Sequence, residues 1–427
     1  MCDPCRVSSS SVPFSAYRSA LTAPGAAAPV LLSALGRLPI AMIGLAALLY
    51  VQRVTGSFAT AGLVSAAILA GVSTGSVLQG RIIDRIGPTR PLLVVAALFA
   101  AAAGGLVAAV EAARPLLVLI GLALLVGLVM PALSGASRAL WVDLVPPGPE
   151  REAAYTYEAI SLEIFFILGP AIAALLIAAP WPGTGVVVAA AAMTLGTVGF
   201  ALTSAVRRRQ PTLPPVDAPA LGPLGALARP GMRTVALASL GFGLVVGTVE
   251  VGVPAVTAAA GSPALGGVLL SAWSVASVLA GVVYGLRPWP RPMHLRMPFL
   301  LAAFAVCVAA MALVGPTGAL GVLVVAMLAA GALITPQVTA HSVAVEAAAP
   351  VGTVTEAFGW NVTAATLGLA AGQSVAGLVV EAAGPASAFL AGGVAGAALA
   401  AVLWARRGTL APVPAPVLVP AGASAAG

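Results

Sequence analysis

Long apolar runs alternate with short polar breaks along the whole chain. Runs of about 20 apolar residues, the length a helix needs to cross a bilayer, fall near 30–52, 58–79, 91–110, 115–141, 152–179, 184–206, 234–257, 264–286, 297–315, 318–342, 354–379 and 385–405. Within each run apolar residues follow one another directly, without the every-second-residue alternation of a barrel strand. The pattern predicts an all-α polytopic membrane protein, because only helices satisfy the backbone inside each such segment. The longest interior break, 207–233, holds Arg207, Arg208, Arg209 and a proline-rich stretch. It reads as a linker between an N-terminal six-helix bundle at 30–206 and a C-terminal one at 234–405. Residues 1–29 and 406–427, rich in Pro, Ala and Ser, read as disordered tails. The first apolar run has no cleavage-site pattern and is long enough to span, so it reads as a helix of the bundle.

Composition agrees. Hydrophobic residues make up 60% of the chain and charged residues 8%, with mean hydropathy +1.07. A soluble domain carries about 25% charged residues, so lipid must be the solvent for most of this surface. A pI near 10.1 and net charge of +7 raise nucleic-acid binding as an alternative. The basic residues, all arginine, sit instead in the breaks beside apolar runs, which removes a nucleic acid from the expected partners. With the N-terminus inside, only Arg53 and Arg114 fall in outer breaks and only Arg37 and Arg138 within spans; the other arginines lie on the inner side. The positive-inside rule then places both termini in the cytoplasm. The arginine-only basic set, with abundant Ala, Gly, Val and Pro, suggests a GC-rich bacterial genome, hence a bacterial cytoplasmic membrane.

The halves repeat. Gly56-Ser57, Gly62, Gly80 and Pro131 match Gly261-Ser262, Gly267, Gly285 and Pro336 at one constant offset, the 205 residues that separate 56 from 261. The most telling break is Gly80-Arg81-Ile82-Ile83-Asp84-Arg85-Ile86-Gly87-Pro88-Thr89-Arg90, between the second and third runs. It resembles the loop signature of the major facilitator superfamily of secondary transporters, G-x-x-x-D-R-x-G-x-[RT]-[RK]. The resemblance covers about residues 30–405. It implies that family's fold, two pseudo-symmetric six-helix bundles, and transport of a small solute by alternating access. It also implies that Gly80, Asp84, Arg85, Gly87 and Arg90 belong to an inner gate that stabilises the outward-facing state. Asp143, after the fourth run, is a candidate partner for Arg85. Asp84 has a second candidate partner in the N-terminus of span 11 near Thr355-Glu356, where free N–H groups attract an anion. The alternative is a turn whose charges only fix topology.

Ionisable residues inside membrane helices are functional candidates by default. Arg37, Arg138, Glu158 and Glu163 fall on spans 1, 4 and 5, which the resemblance makes neighbours. They form either a proton or substrate relay or a static ion pair. Glu250 stands in span 7 with no basic residue expected at its depth, and is a candidate proton carrier. Pro131 and Pro336 interrupt spans 4 and 10 at equivalent positions, and paired breaks point to a central binding site. Ser134, Gln337, Trp273, Trp360 and Asn361 would line it and suit a lipophilic or amphipathic solute. Three small-residue pairs, Gly71/Gly75, Gly281/Gly285 and Gly368/Gly372, are expected at the seam between the halves. His341 reads as structural.

The antiporter pattern in span 5 survives only as Gly169-Pro170, yet proton-coupled export, as in drug-efflux members, is the leading expectation. Uptake or facilitated diffusion is the alternative, and a non-transporting membrane sensor or scaffold a remote one. Clustered His, Asp or Cys that an enzyme would need are absent, as is a phosphate-binding loop. Cys2 and Cys5 lack the second pair of a zinc site, so no metal or cofactor is expected. The partners expected are a small-molecule substrate, protons and the lipid bilayer, with the protein a monomer.

Overall fold

In a computed structural model the described residues are 14–177, 179–211, 222–262, 264–286, 292–314 and 320–410. Cys2, Cys5, the outer parts of both tails, the proline-rich centre of the linker and the turn Arg287-Pro288-Trp289 lie outside them. Among the described residues, twelve helices are long and apolar enough to cross a membrane. Spans 1 to 6 are Ala27–Thr55, Thr60–Ile86, Thr89–Glu111, Leu116–Leu144, Pro149–Ala173 and Thr184–Leu202. Spans 7 to 12 are Pro230–Ala259, Leu265–Leu286, Met293–Met311, Gly321–Ala348, Val354–Ala383 and Ala386–Ala405. All these helices are apolar on most of their circumference, as a membrane bundle requires.

Two spans are interrupted. Span 1 divides into Ala27–Arg37 and Ile40–Thr55 at Pro39, and span 4 into Leu116–Leu128 and Leu133–Leu144 at Pro131. Proline lacks the N–H that would continue the ladder. At the second break the freed groups are satisfied by one side chain. Gln79 of span 2 donates to the carbonyls of Leu128 (3.0 Å) and Met130 (2.9 Å) and accepts the N–H of Ala132 (2.9 Å). The expectation of paired breaks is corrected at Pro336, which stays inside a continuous helix, Leu320–Ala348. There the Thr335 N–H turns to the Ser277 hydroxyl of span 8 at 3.2 Å, and the helix carries on.

Each half has its own apolar core. In the first half Phe99, Tyr50, Met42 and Met193 are buried together; in the second, Phe304, Val249, Met311 and Phe389. A third cluster draws on both halves. It contains Trp141 and Tyr155 from the first, with Met232, Ala344 and Phe358 from the second. This shared core lies toward the end of the molecule that carries most of the arginines.

The glycine pairs are placed differently from expectation. Gly71 and Gly75 meet the backbone of span 4 at Leu124 and Leu128, within the first half. Gly368 and Gly372 meet span 7 at Leu240 and Leu244, within the second. These pairs tighten each bundle; in the third, Gly281 lies first against Thr335 of span 10 in its own half and also against Ile160 of span 5 in the other. The seam between spans 2 and 11 rests on other glycines. A Cβ on Gly80 would lie 2.7 Å from Cα of Glu356, and one on Gly359 2.6 Å from the Ser76 carbonyl oxygen.

Residues 14–21, read above as part of a disordered tail, form a helix, Phe14–Leu21. Its Ala16 packs on Ala153 of span 5, and Tyr17 occupies the space over Gly285 of span 8. The linker is also partly ordered, with a short 3-10 turn at Gly225–Ala228. The start of the C-terminal tail docks on span 7, where Arg406 donates to the Thr234 hydroxyl at 3.1 Å.

Candidate functional site: the sealed end and the buried charges

Span 2 ends against the start of span 11. Asp84 Oδ1 accepts the N–H of Thr355 (3.1 Å) and Oδ2 that of Glu356 (2.8 Å). These are orphan donors of a helix N-terminus, where an anion is favoured both by hydrogen bonding and by the helix dipole. Gly80, one turn earlier, lets the two backbones touch. Gly87 closes the helix with φ +84°, a conformation few other residues adopt. Further into the membrane, Thr363 donates to the carbonyl of Ser73, and its hydroxyl lies 3.2 Å from that of Ser76.

The Arg85–Asp143 pair does not form. Arg85 is exposed, without an ion-pair partner among the described residues, and Asp143 pairs with Arg209 at 3.0 Å. Arg85 follows Asp84 directly, and on a helix neighbouring residues point apart; with Asp84 aimed at span 11, Arg85 turns outward. Arg90 is likewise exposed.

Several seam residues went unrecognised in the sequence. Arg81 pairs with Glu356 (3.0 Å) and donates to the Pro223 carbonyl of the linker (2.6 Å). Glu356 also accepts the N–H of Ala226 (3.1 Å) and the indole N–H of Trp360 (3.1 Å). Arg151 of span 5 donates to the carbonyls of Val142 (2.9 Å) and Val145 (2.7 Å) and pairs with Glu346 of span 10. Glu346 takes in addition the Tyr155 hydroxyl at 2.8 Å. Glu152 pairs with Arg296 of span 9 at 2.8 Å. The ion pairs that join the halves, Arg81–Glu356, Arg151–Glu346 and Glu152–Arg296, link residues more than a hundred positions apart, and no local pattern encodes their pairing. The one usable hint was the acidic first turns of spans 5 and 11, holding Glu150, Glu152 and Glu356. These polar contacts between the halves lie between the arginine-rich end and mid-membrane, so the molecule is sealed at that end.

Three of the four expected buried charges meet. Arg37 and Glu158 form an ion pair with no exposed surface. Arg37 also donates to Ser161 (3.2 Å) and lies over the Phe165 ring, 5.5 Å from its centroid. Glu158 further accepts from Ser137 (2.7 Å) and from the Trp141 indole (3.0 Å). Arg138 stands beside this pair and hydrogen-bonds to neither partner. Glu163 lies apart, further along span 5, with Ser274 of span 8 as its polar neighbour. Glu250 has a partner after all, the Gln373 amide of span 11, which donates to it at 2.8 Å.

The residues expected to line one central site do not converge. Trp273 stacks on Phe304 of span 9 inside the second half, and Trp360 serves Glu356 at the seam. Asn361 accepts the Ser239 hydroxyl (2.5 Å), which also lies 3.3 Å from Nδ1 of His341. Pro131 is buried and Ser134 half-buried beside the break in span 4. Gln337 is buried with both ends of its amide unsatisfied. No group of three or more His, Cys, Asp or Glu able to hold a metal occurs among the described residues.

Residues 30–355 match the Major Facilitator Superfamily. The chain belongs to this superfamily. It is therefore a secondary transporter, with twelve candidate membrane spans, and not an enzyme. Its fold is similar to that of the human organic anion transporter MFSD10 (TETRAN), at 18% identity and TM-score 0.66, over 92% of this chain and 99% of that one. A bacterial homologue of the iron transporter ferroportin, in the outward-facing state, matches at 16% identity and TM-score 0.65, over 90% and 98%. The E. coli fucose:proton symporter FucP matches at 14% identity and TM-score 0.64, over 90% and 98%. At these identities the likeness carries the fold alone. No curated protein matches this transporter.

Proposed function

We propose that this transporter exports a small amphipathic solute across a bacterial cytoplasmic membrane in exchange for protons. The observation that carries the reading is the juxtaposition of Glu163 and Ser274. It joins span 5 to span 8, and so one half to the other, at mid-membrane. A hydroxyl can donate to a carboxylate or accept from a carboxylic acid, so it serves either protonation state; a guanidinium serves only one. The Glu250–Gln373 pair has the same property. Both carboxyls sit on spans that must move against one another as access alternates, so a proton taken up on one side is released on the other. Glu158, expected above to share this task, fits a fixed ion pair better, since both its oxygens are held by donors that come from its own half.

With the arginine-rich end in the cytoplasm, the sealed state is the outward-facing one. Asp84 and its neighbours then act as the latch that holds it. The scarcity of charge at mid-membrane favours an amphipathic solute over a sugar or a multiply charged metabolite. The test is exchange against accumulation in proteoliposomes. Glu163→Gln is expected to keep solute exchange and lose accumulation driven by a pH gradient. Full gradient-driven accumulation by Glu163→Gln and Glu250→Gln together would overturn the assignment of the proton carriers.

A further inference from the structure

In the first half one carboxylate stands between two buried guanidiniums. Glu158 gives Oε2 to Arg37 and Oε1 to Ser137 and Trp141. The second guanidinium is that of Arg138, 6% exposed, with Glu158, Arg37 and the Tyr155 phenol as its charged or polar neighbours. Arg138 makes no hydrogen bond and no ion pair among the described residues, and its Nε is sealed from solvent without an acceptor. Glu346, which accepts from the same Tyr155, is taken by Arg151. Asp84, Asp143, Glu152 and Glu356 are likewise engaged at the seam. The cluster therefore holds one positive charge in excess. A guanidinium keeps its proton through the physiological range, so the excess stays until an anion meets it.

The geometry gives that anion a place. Helical side chains lean toward the N-terminus of their own helix. Span 4 runs toward the arginine-rich end, so Arg138 leans back toward mid-membrane, past the half-buried Ser134 and toward the break at Pro131. Among the described residues Ser134 has no hydrogen-bond partner either. Span 10, the equivalent of span 4 in the second half, carries the amide of Gln337, 1% exposed and unpartnered at both ends. Gln337 sits eleven residues from the end of its span at Ala348, or about 16 Å by helical rise. Arg138 sits six residues from Leu144, about 9 Å, and its side chain extends deeper. Two unsatisfied polar groups thus occupy equivalent spans, Gln337 about 7 Å the deeper. Gly135, next to Ser134, lies against Thr355 and Phe358 of span 11. Parting the halves at the sealed end uncovers this stretch of span 4.

We propose that Arg138 anchors the acidic group of the transported solute, which is an amphipathic organic monoanion, a carboxylate or sulfonate. The solute binds Arg138 when the arginine-rich end is open and leaves as that end closes. This inference rests on the transport reading above and narrows its substrate.

The test uses the purified full chain in detergent, where the states exchange. The probes are 2-naphthalenesulfonate, which stays ionised at all working pH values, tetraphenylphosphonium as a cation of similar apolar character, and chloride. The readouts are titration calorimetry and melting temperature. The sulfonate is expected to bind saturably and to raise the melting temperature, with neither control competing. Arg138→Gln should weaken it about 10- to 100-fold, as loss of a hydrogen-bonded charge contact does, and Arg138→Lys should keep part of the affinity. Ser134→Asp, one turn from Arg138, supplies the missing counter-charge from within. It should raise the melting temperature without ligand and abolish sulfonate binding, so the test does not depend on a variant that fails to fold. Equal affinity in Arg138→Gln, no binding by the wild type, or equal stabilisation by chloride would each overturn the proposal. If sulfonate binding fails while a pH gradient still drives tetraphenylphosphonium flux, the anion assignment falls and the transport reading stands. If no probe moves under a gradient, the transport reading falls as well.

Discussion

Asp84→Asn changes one atom at the seam where both carboxylate oxygens are in use. The N–H groups of Thr355 and Glu356 approach these oxygens at 3.1 and 2.8 Å. Asparagine keeps one acceptor and turns an amide donor toward the other N–H. A hydrogen bond to a charged group contributes about 1.5–3 kcal/mol, and a charge at a helix N-terminus about 0.3–1 kcal/mol more. Loss of one such bond and of the charge removes about 2–4 kcal/mol from the sealed state, or roughly a 30- to 900-fold shift toward the state open at the arginine-rich end. Spin labels report the shift directly. Ile86 and Val351 are exposed on the two halves at the sealed end, and Thr55 and Ala260 are exposed at the opposite end. In Asp84→Asn the first distance should lengthen and the second shorten. Unchanged distance distributions would refute the latch and leave Asp84 as an anchor of the turn.

Gly80→Ala should open the same end, since its Cβ would press within 2.7 Å of the Glu356 backbone; the same label pairs check it, and wild-type distances would contradict it. Gln79→Leu leaves the Leu128 and Met130 carbonyls and the Ala132 N–H without their partner, at about 1–3 kcal/mol per buried group. Its melting temperature should fall well below that of a control such as Leu78→Ala on the exposed face of the same helix. Glu158→Gln should be worse for stability than Arg37→Ala, because it strips the one carboxylate from two buried guanidiniums; breaking a buried pair costs about 3–5 kcal/mol. Melting curves of the two variants would contradict this if their order were reversed.

The spans were legible because hydropathy is a local property: a run of about 20 apolar residues has few alternatives to a membrane helix. The charged turn at 80–90 was legible because aspartate and arginine are rare in this chain and stand there together. What stayed hidden were the long-range choices. The turn offered two candidate contacts, Arg85 with Asp143 and Asp84 with the start of span 11, and the pairing of Asp84 with span 11 turned Arg85 away from Asp143. Gln79 looked like one more polar residue in a helix, yet it closes the ladder that Pro131 opens. Pro336 matched Pro131 in sequence, but Ser277 supplies a local acceptor there and the helix does not break. The tryptophans were assigned to a central cavity on type alone; Trp360 follows the first-turn acid of its own helix, Glu356, and Trp273 finds Phe304. The glycine pairs were assigned to the moving seam, whereas four of the six residues fix helices inside one half.

Coupling is the core of the proposed mechanism, and simultaneous flux of solute and protons tests it most directly. Proteoliposomes holding a pH-sensitive dye are loaded with solute and given an outside-acid gradient. The account predicts solute efflux accompanied by proton entry in fixed ratio, both abolished by an ionophore that collapses the gradient, with proton entry lost in Glu163→Gln while solute exchange persists. Solute efflux at an unchanged rate without proton entry, indifferent to the ionophore, would contradict it.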